Sequence, residues 1–167
     1  MYLSDHELKE GSYFIAMEYH TLILNRTFLI IGTQSHMIGV IVNGLVASEH
    51  PTDPFANLLL GRFVISEDLE NPMSYVVDKY LDELRDVDLL SDDLVKHNSA
   101  NFAAKLENVS NVTFDRKKKW GMGNYPHDGK IRVKMDGKTR EFIILGNQSC
   151  AAVAAAIQVW KSRASAA

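Results

Sequence analysis

The sequence predicts an α+β fold, a mostly antiparallel and partly open β-barrel with an inserted acidic helix and a closing C-terminal helix. Short runs of aromatic and β-branched residues follow one another with gaps too short for crossover helices. A central acidic stretch has apolar residues at helical spacing, and an alanine-rich stretch near the C-terminus favours a final helix. The 167 residues, 46% of them hydrophobic, suit one domain covering residues 1–167.

The N-terminal strands are predicted to form an antiparallel meander. Residues 13–24 and 28–31 are rich in strand-forming side chains, and Leu24-Asn25-Arg26 between them is interpreted as a turn. Thr33-Gln34-Ser35 forms a second polar break before a strand at residues 37–42. Neighbouring strands joined by such short connections pair antiparallel.

The N-terminal group of strands is expected to span residues 12–66. Residues 49–57 contain two prolines and are predicted to form a loop. Residues 58–66 follow as a strand, although the first of them would also suit a helix. Residues 27–47 are the most apolar run, but their polar and glycine interruptions favour two strands over a membrane helix.

Residues 67–98 are predicted to form the inserted acidic helical segment. Asn71 as a cap and Pro72 in the first turn are a helix start signal. Residues 86–99 would form a short helix or a loop. The apolar residues that recur at steps of three and four are Met73, Val76, Val77, Tyr80, Leu81 and Leu84.

A group of basic strands is predicted over residues 101–146, and a helix follows at residues 149–163. Asp136-Gly137 is a strong hairpin signal between the last two strands. Val153, Ile157 and Trp160 lie on one face of the final helix. The four predicted strands are residues 101–106, 109–115, 131–135 and 139–145.

The order of these last elements resembles the end of bacterial pleckstrin-homology-like and GRAM-like domains. The resemblance covers roughly residues 101–163 and, more loosely, residues 12–66. It implies a pleckstrin-homology-like barrel, in which the acidic helix would be an insertion, and it carries no ligand residue over. The matching pieces are residues 109–114, residues 129–133, Asp136-Gly137-Lys138, Glu141-Phe142 and Trp160.

The charge is divided unevenly along the chain. Residues 1–100 contain 6 Lys and Arg against 16 Asp and Glu, whereas residues 101–167 contain 12 against 5. The formal net charge of −3 therefore hides an acidic and a basic part. Because charges gathered on one surface attract their opposites over about a Debye length, this asymmetry predicts a charged partner without naming it.

The first candidate binding surface is the predicted hairpin. Lys130, Arg132 and Lys134 alternate with apolar residues, which places the three cations on one face. They would attract an anion or an acidic surface. Alternatively, they form an ordinary solvated face that Glu141 and the acidic helix partly neutralise.

The length of the hairpin loop decides which further cations join that face. A three-residue loop pairs Lys134 with Lys138 and Arg132 with Arg140, which gathers five cations. A two-residue loop pairs Arg132 with Glu141 instead, a favourable cross-strand contact. The sequence is compatible with both loops.

The second candidate is the basic run at residues 116–119 with Trp120 beside it. Four cations next to an indole could hold phosphates or a bilayer headgroup. Trp120 and Tyr125 could also stack on bases, but a pI of about 6.0 is unlike that of a nucleic-acid-binding domain. Alternatively, the cations are solvated and Trp120 packs on the sheet.

Enzymatic chemistry has little support in the sequence. The six histidines have no helix or strand spacing that suits a metal. Cys150 is the single cysteine, so an intramolecular disulfide is impossible, and its place at the start of a helix would lower a thiol pKa. His127 and Asp128 could then serve it as partners. A small buried cysteine is the simpler interpretation.

We therefore expect a non-enzymatic, cytoplasmic interaction module that binds an acidic protein surface or self-assembles through residues 116–140. Binding of anionic lipid headgroups is the alternative, and a Cys150-based enzyme is a third. We expect no cofactor, metal, catalytic residue or transmembrane segment, and no nucleic-acid partner. The residues expected to bind the anion or partner are Arg116, Lys117, Lys118, Lys119, Trp120, Lys130, Arg132, Lys134, Lys138 and Arg140.

Overall fold

The computed structural model describes residues 1–21, 24–47, 68–119, 122 and 125–166. Within these residues, seven strands form one antiparallel sheet in the spatial order β4-β3-β2-β1-β7-β6-β5. The sheet is curled into a half-barrel, so the α+β class and the partly open barrel are both present. The strands are β1 (Tyr13–Thr21), β2 (Leu24–Gly32), β3 (His36–Ala47), β4 (Phe102–Lys105), β5 (Val109–Asp115), β6 (His127–Met135) and β7 (Lys138–Leu145).

Three α-helices accompany the sheet in the described part of the chain. They are α1 (Asp78–Glu83), α2 (Asp93–His97) and α3 (Cys150–Ala166). Short 3-10 turns lie at Leu3–Asp5, Pro72–Tyr75 and Leu106–Asn108. The loop predicted at residues 49–57 and the strand predicted at residues 58–66 lie outside the described residues.

The long helix α3 covers one side of the sheet, which we call the helix side. Trp160 is its main anchor: the indole stacks on Phe14, and its Nε1–H donates to the Gly11 carbonyl at 2.8 Å. A Cβ at Gly32 would collide with this indole, so the close approach of α3 to β2 requires glycine. The sheet residues buried in this cluster include Phe14, Phe28, Ile30, Ile131, Val133, Phe142 and Ile144.

Residues 68–98, which we call the acidic segment, cover the opposite side, the segment side. They place Tyr75, Leu84, Leu89 and Leu94 in a second buried cluster. Central strands are thus buried on both sides and read as apolar runs rather than alternating ones. The sheet residues in this cluster are Ile15, Met17, Leu29, Ile31, Ile38, Val40, Val42, Ile143 and Leu145.

The prediction of one continuous amphipathic helix after Asn71 is wrong, because the structure has two short helical pieces there. Asn71 does cap a helical turn, with its Oδ1 accepting from the Met73 N–H at 3.0 Å, but the turn ends at Tyr75. The backbone is then extended at Val76 and Val77, and the Val77 N–H donates to the Val42 carbonyl at 2.9 Å. This contact with β3 overrides the local helical pattern.

The turn predicted at Leu24-Asn25-Arg26 is also wrong, because β2 already begins at Leu24. Asn25 pairs with Tyr19 on β1 and with Val46 on β3. Asparagine is a turn former by local preference, and here pairing on both sides holds it in the sheet.

Candidate functional site

The β6–β7 hairpin has the two-residue loop. Met135 pairs with Lys138, and Asp136 and Gly137 between them have φ values of 49° and 76°. Left-handed backbone at both positions is the type I′ geometry that suits a two-residue hairpin. Arg132 consequently lies opposite Glu141.

Lys130, Arg132 and Lys134 point to the segment side of the sheet. The residues that alternate with them are buried on the helix side, namely Ile131, Val133 and Met135. The acidic segment also lies on the segment side, although it covers other strands. The predicted grouping of the three cations on one face is therefore present.

Glu141 is the centre of this group of cations. Its Oε1 accepts from Lys119 Nζ at 2.8 Å, and its Oε2 accepts from Arg132 Nε at 2.9 Å. Lys130 Nζ lies 3.5 Å from the same Oε2. Burial by itself would raise the pKa of Glu141, but Lys119, Lys130 and Arg132 outweigh it and hold that pKa below its usual range.

His127 fixes the backbone of Lys119. Its Nε2 accepts the Lys119 backbone N–H at 2.9 Å, so its Nδ1 carries the proton and donates to the Tyr125 carbonyl at 2.9 Å. The Lys119 side chain then crosses the Tyr19 ring, with Nζ 4.9 Å from the ring centroid. This brings β1, β7 and the chain after β5 together at Glu141.

Arg140 lies on the helix side and is held inside the molecule. Its Nε donates to Glu18 Oε1 at 2.8 Å, and its Nη2 donates to Glu18 Oε2. The guanidinium carbon lies 4.1 Å from the centroid of Phe102 and 5.0 and 5.3 Å from those of Phe28 and Phe142. Only 18% of the Arg140 side chain and 22% of the Glu18 side chain are exposed. Arg140 is therefore turned away from the three cations of β6.

The other cations singled out in the sequence are exposed. Lys138 lies beside the hairpin turn, and Arg116, Lys117 and Lys118 follow β5. In the described part of the chain, none of these four has a carboxylate within ion-pair distance, and neither has Lys134. Trp120 lies outside the described residues. We call the seven cations on and beside the segment side the basic face: Arg116, Lys117, Lys118, Lys119, Lys130, Arg132 and Lys134.

The acidic segment does not neutralise the basic face. The described ion pairs of its carboxylates are Asp82 with Arg85, Glu83 with Lys79, Asp93 with Lys96, and Asp88 with the terminal amine of Met1. Three of these four join residues three or four positions apart on one short stretch of chain. Among the described residues, no ion pair joins this segment to the basic face.

Two buried polar side chains, Asn25 and Thr27, lie among the apolar residues of the segment side near Tyr19. Thr27 pairs with Met17 and Asn25 with Tyr19, so both lie on that side, at a place where two bulges disturb the β2–β3 pairing. Both are fully buried, and their side-chain polar atoms have no hydrogen-bond partner among the residues that the structure describes. Asn43, opposite Thr27, is satisfied because its Nδ2 donates to the Tyr75 carbonyl at 3.1 Å. Unpaired polar atoms of this kind cost stability.

Cys150 has the surroundings of a structural cysteine. It is fully buried, and burial together with the charge of Asp128 raises the pKa of its thiol. Its backbone N–H donates to Asp128 Oδ2 at 3.0 Å, so Asp128 caps the start of α3. His127 is committed to Lys119 and Tyr125. A nucleophilic cysteine needs a thiolate, which these surroundings disfavour.

Other functional classes find no further support. Within the described residues, no three His, Cys, Asp or Glu side chains gather as metal ligands. No helix of the described part is both long and apolar enough to cross a bilayer. Comparisons with protein-family models, with curated proteins and with solved structures yielded no match to this chain.

Two residues of the site escaped the sequence analysis. Tyr19 belongs to a strand pattern that gives no hint of Lys119, which is one hundred positions away. From the sequence, His127 suggests only a possible partner for Cys150, whereas in the structure its Nε2 accepts the Lys119 backbone N–H. The alternation of β6 did identify Lys130, Arg132 and Lys134.

Proposed function

We propose that this chain is a non-enzymatic interaction module whose basic face binds an acidic protein surface. The proposal is carried by the charge imbalance around Glu141. One carboxylate is shared by three cations, and Lys117, Lys118 and Lys134 have no acidic partner in the described residues. An acidic surface would supply the missing anions.

A protein surface suits this face better than a lipid headgroup layer does. Glu141 stands at its centre, and a folded partner can place its own carboxylates over the surrounding cations and away from Glu141, which a uniform layer of phosphate groups cannot do. The described large apolar side chains that are well exposed are Tyr2, Leu90, Val95, Phe114 and Val159. Phe114, the one nearest in sequence to the basic run, pairs with Ile131 and so faces the helix side. Interleaved charges of both signs are typical of complementary protein interfaces.

A labelled poly-L-glutamate peptide tests the proposal by fluorescence anisotropy. We expect salt-sensitive binding that weakens about tenfold or more when Lys117 and Lys118 are both changed to glutamate. The matched control is the double change Lys161→Glu and Arg163→Glu on α3, which removes the same charge from the helix side and should bind like the unchanged protein.

The alternatives are outcomes of the same experiment. Equal loss in both double variants, or no binding by a protein that is monomeric at low salt, would overturn the proposal. Binding to vesicles that contain phosphatidylserine, without binding to poly-L-glutamate, would favour the anionic lipid instead. The single, buried Cys150 suits a reducing compartment, so we propose the cytoplasm as the place of action.

We also propose that the fold is a divergent pleckstrin-homology-like domain. The support is the curled seven-stranded antiparallel sheet with a C-terminal helix anchored by Trp160. The acidic segment would then be an insertion. An experimental structure whose strand connections differ from those of such domains would contradict this assignment.

A further inference from the structure

We infer that the acidic surface bound by the basic face is the acidic segment of a second copy of this chain. This inference rests on the proposed function and names its partner. Residues 68–98 contain nine Asp and Glu against three Lys and Arg, whereas residues 116–134 contain seven Lys and Arg against one Asp. The two stretches have net charges of −6 and +6, and Glu141 at the centre of the basic face lowers the latter to +5. Opposite charges of this kind are the complementarity that a specific interface uses.

Within one copy and among the described residues, the two surfaces form no ion pair with each other, even where they adjoin. Glu70 of the acidic segment lines the same shallow depression, of about 490 Å³, as Arg116 and Lys118. No ion pair within 4 Å forms there among the described residues. Asp86 and Asp92 are exposed and likewise have no cation within that distance. Each surface is therefore available to another molecule.

The placement of the two surfaces favours a closed dimer. Lys130, Arg132 and Lys134 point to the segment side, which is also the side that the acidic segment covers. Two copies that meet through this side about a two-fold axis place each basic face against the other copy's acidic segment. Both contacts then form at once, as in an isologous interface, and no free end remains for a filament.

Molar mass in solution tests this arrangement, by light scattering and sedimentation velocity at about 0.02 M and about 0.5 M salt. At low salt we expect twice the chain mass of 18.7 kDa, and at high salt we expect 18.7 kDa. The change Lys117→Glu with Lys118→Glu should give a monomer at low salt. Asp86→Lys with Asp92→Lys should do the same.

Mixing the two variants is the decisive step. In the mixed dimer, the unchanged acidic segment of the first variant meets the unchanged basic face of the second, and the introduced glutamates face the introduced lysines across the other contact. An equimolar mixture should therefore recover the dimer mass at low salt. Recovery also shows that both variants are folded. The control Lys161→Glu with Arg163→Glu should remain a dimer on its own.

Several results would overturn the inference. They are a monomer at low salt, a basic-face variant that still dimerises, or a mixture that stays monomeric although both variants keep native near-ultraviolet circular dichroism. A monomer that binds poly-L-glutamate through Lys117 and Lys118 would leave the proposed function standing and remove only the second copy as partner. A monomer that also fails to bind poly-L-glutamate would overturn both the proposed function and this inference.

Discussion

Arg132 and Arg140 belong to one hairpin, and each is bound to a glutamate, yet their surroundings are opposite. Arg140 binds both carboxylate oxygens of Glu18, and its guanidinium lies against three phenylalanine rings on the helix side. Arg132 shares Glu141 with two lysines, and 47% of its side chain is exposed on the segment side. The comparison shows that the side of the sheet, rather than the residue type, decides the role of each arginine. The one on the helix side stabilises the fold, and the one on the segment side is exposed to a binding partner.

The difference follows from the period of two along a strand. The two-residue turn pairs Arg132 with Glu141 and Val133 with Arg140, so the arginines face opposite sides. A change on the helix side should therefore cost stability and leave binding intact. A change on the segment side should do the reverse.

The largest effect is expected for Arg140→Met. The change removes the arginine that binds both carboxylate oxygens of the mostly buried Glu18, and it should lower the free energy of unfolding by about 3 kcal/mol. Urea denaturation measures this loss. Arg132→Met is the matched change on the segment side, and it should cost less than about 1 kcal/mol because Glu141 keeps two cations.

A second change separates the charge of the pair from its packing. Adding Glu18→Leu to Arg140→Met removes the buried carboxylate that has lost its arginine partner. The double variant should therefore recover most of the lost stability. Equal losses for Arg140→Met and Arg132→Met would show that the two sides do not differ in the way described.

A smaller effect is expected for Glu141→Gln. Because the pKa of Glu141 is lowered in the folded protein, its charge stabilises the fold above the usual value of 4.5, and this contribution is lost as the pH falls through the lowered pKa. Glutamine should cost about 1 kcal/mol at pH 7 and reduce the acid dependence of stability below pH 4.5.

The same variant should strengthen the binding of poly-L-glutamate, because the basic face loses the carboxylate at its centre. Urea denaturation from pH 3 to pH 7 and anisotropy at pH 7 check the two expectations. Unchanged acid dependence would show that Glu141 is not the titrating group, and weaker binding would show that Glu141 organises the cations rather than neutralising them.

The features that local patterns encode could be predicted from the sequence. Alternation identified the cations of β6, the dipeptide Asp136-Gly137 identified the hairpin, and the spacing of Trp160 with Ile157 and Val153 identified the buried face of α3. These signals depend on neighbouring residues, so one sequence suffices to recognise them.

The features that depend on distant residues could not be predicted. The sequence was compatible with two hairpin loops, and only the backbone at Asp136 and Gly137 decides between them. The convergence of Tyr19, Lys119 and Glu141 joins positions far apart in the chain. The helix after Asn71 is interrupted where the Val77 N–H donates to the Val42 carbonyl of β3, and no local pattern predicts this hydrogen bond.

A further effect of about 1 kcal/mol, of opposite sign, tests whether a buried polar side chain on the segment side destabilises the fold. Thr27 is fully buried and its hydroxyl has no partner in the described structure, so Thr27→Val should raise the free energy of unfolding by about 1 kcal/mol. Thr33→Val is the matched control, since the Thr33 hydroxyl donates to the His36 carbonyl and accepts its N–H, and it should lower stability. Urea denaturation of both variants distinguishes the two hydroxyls. A loss at Thr27 as large as the loss at Thr33 would mean that the Thr27 hydroxyl is hydrogen-bonded in solution, and the polar group beside Tyr19 would then stabilise the fold instead of weakening it.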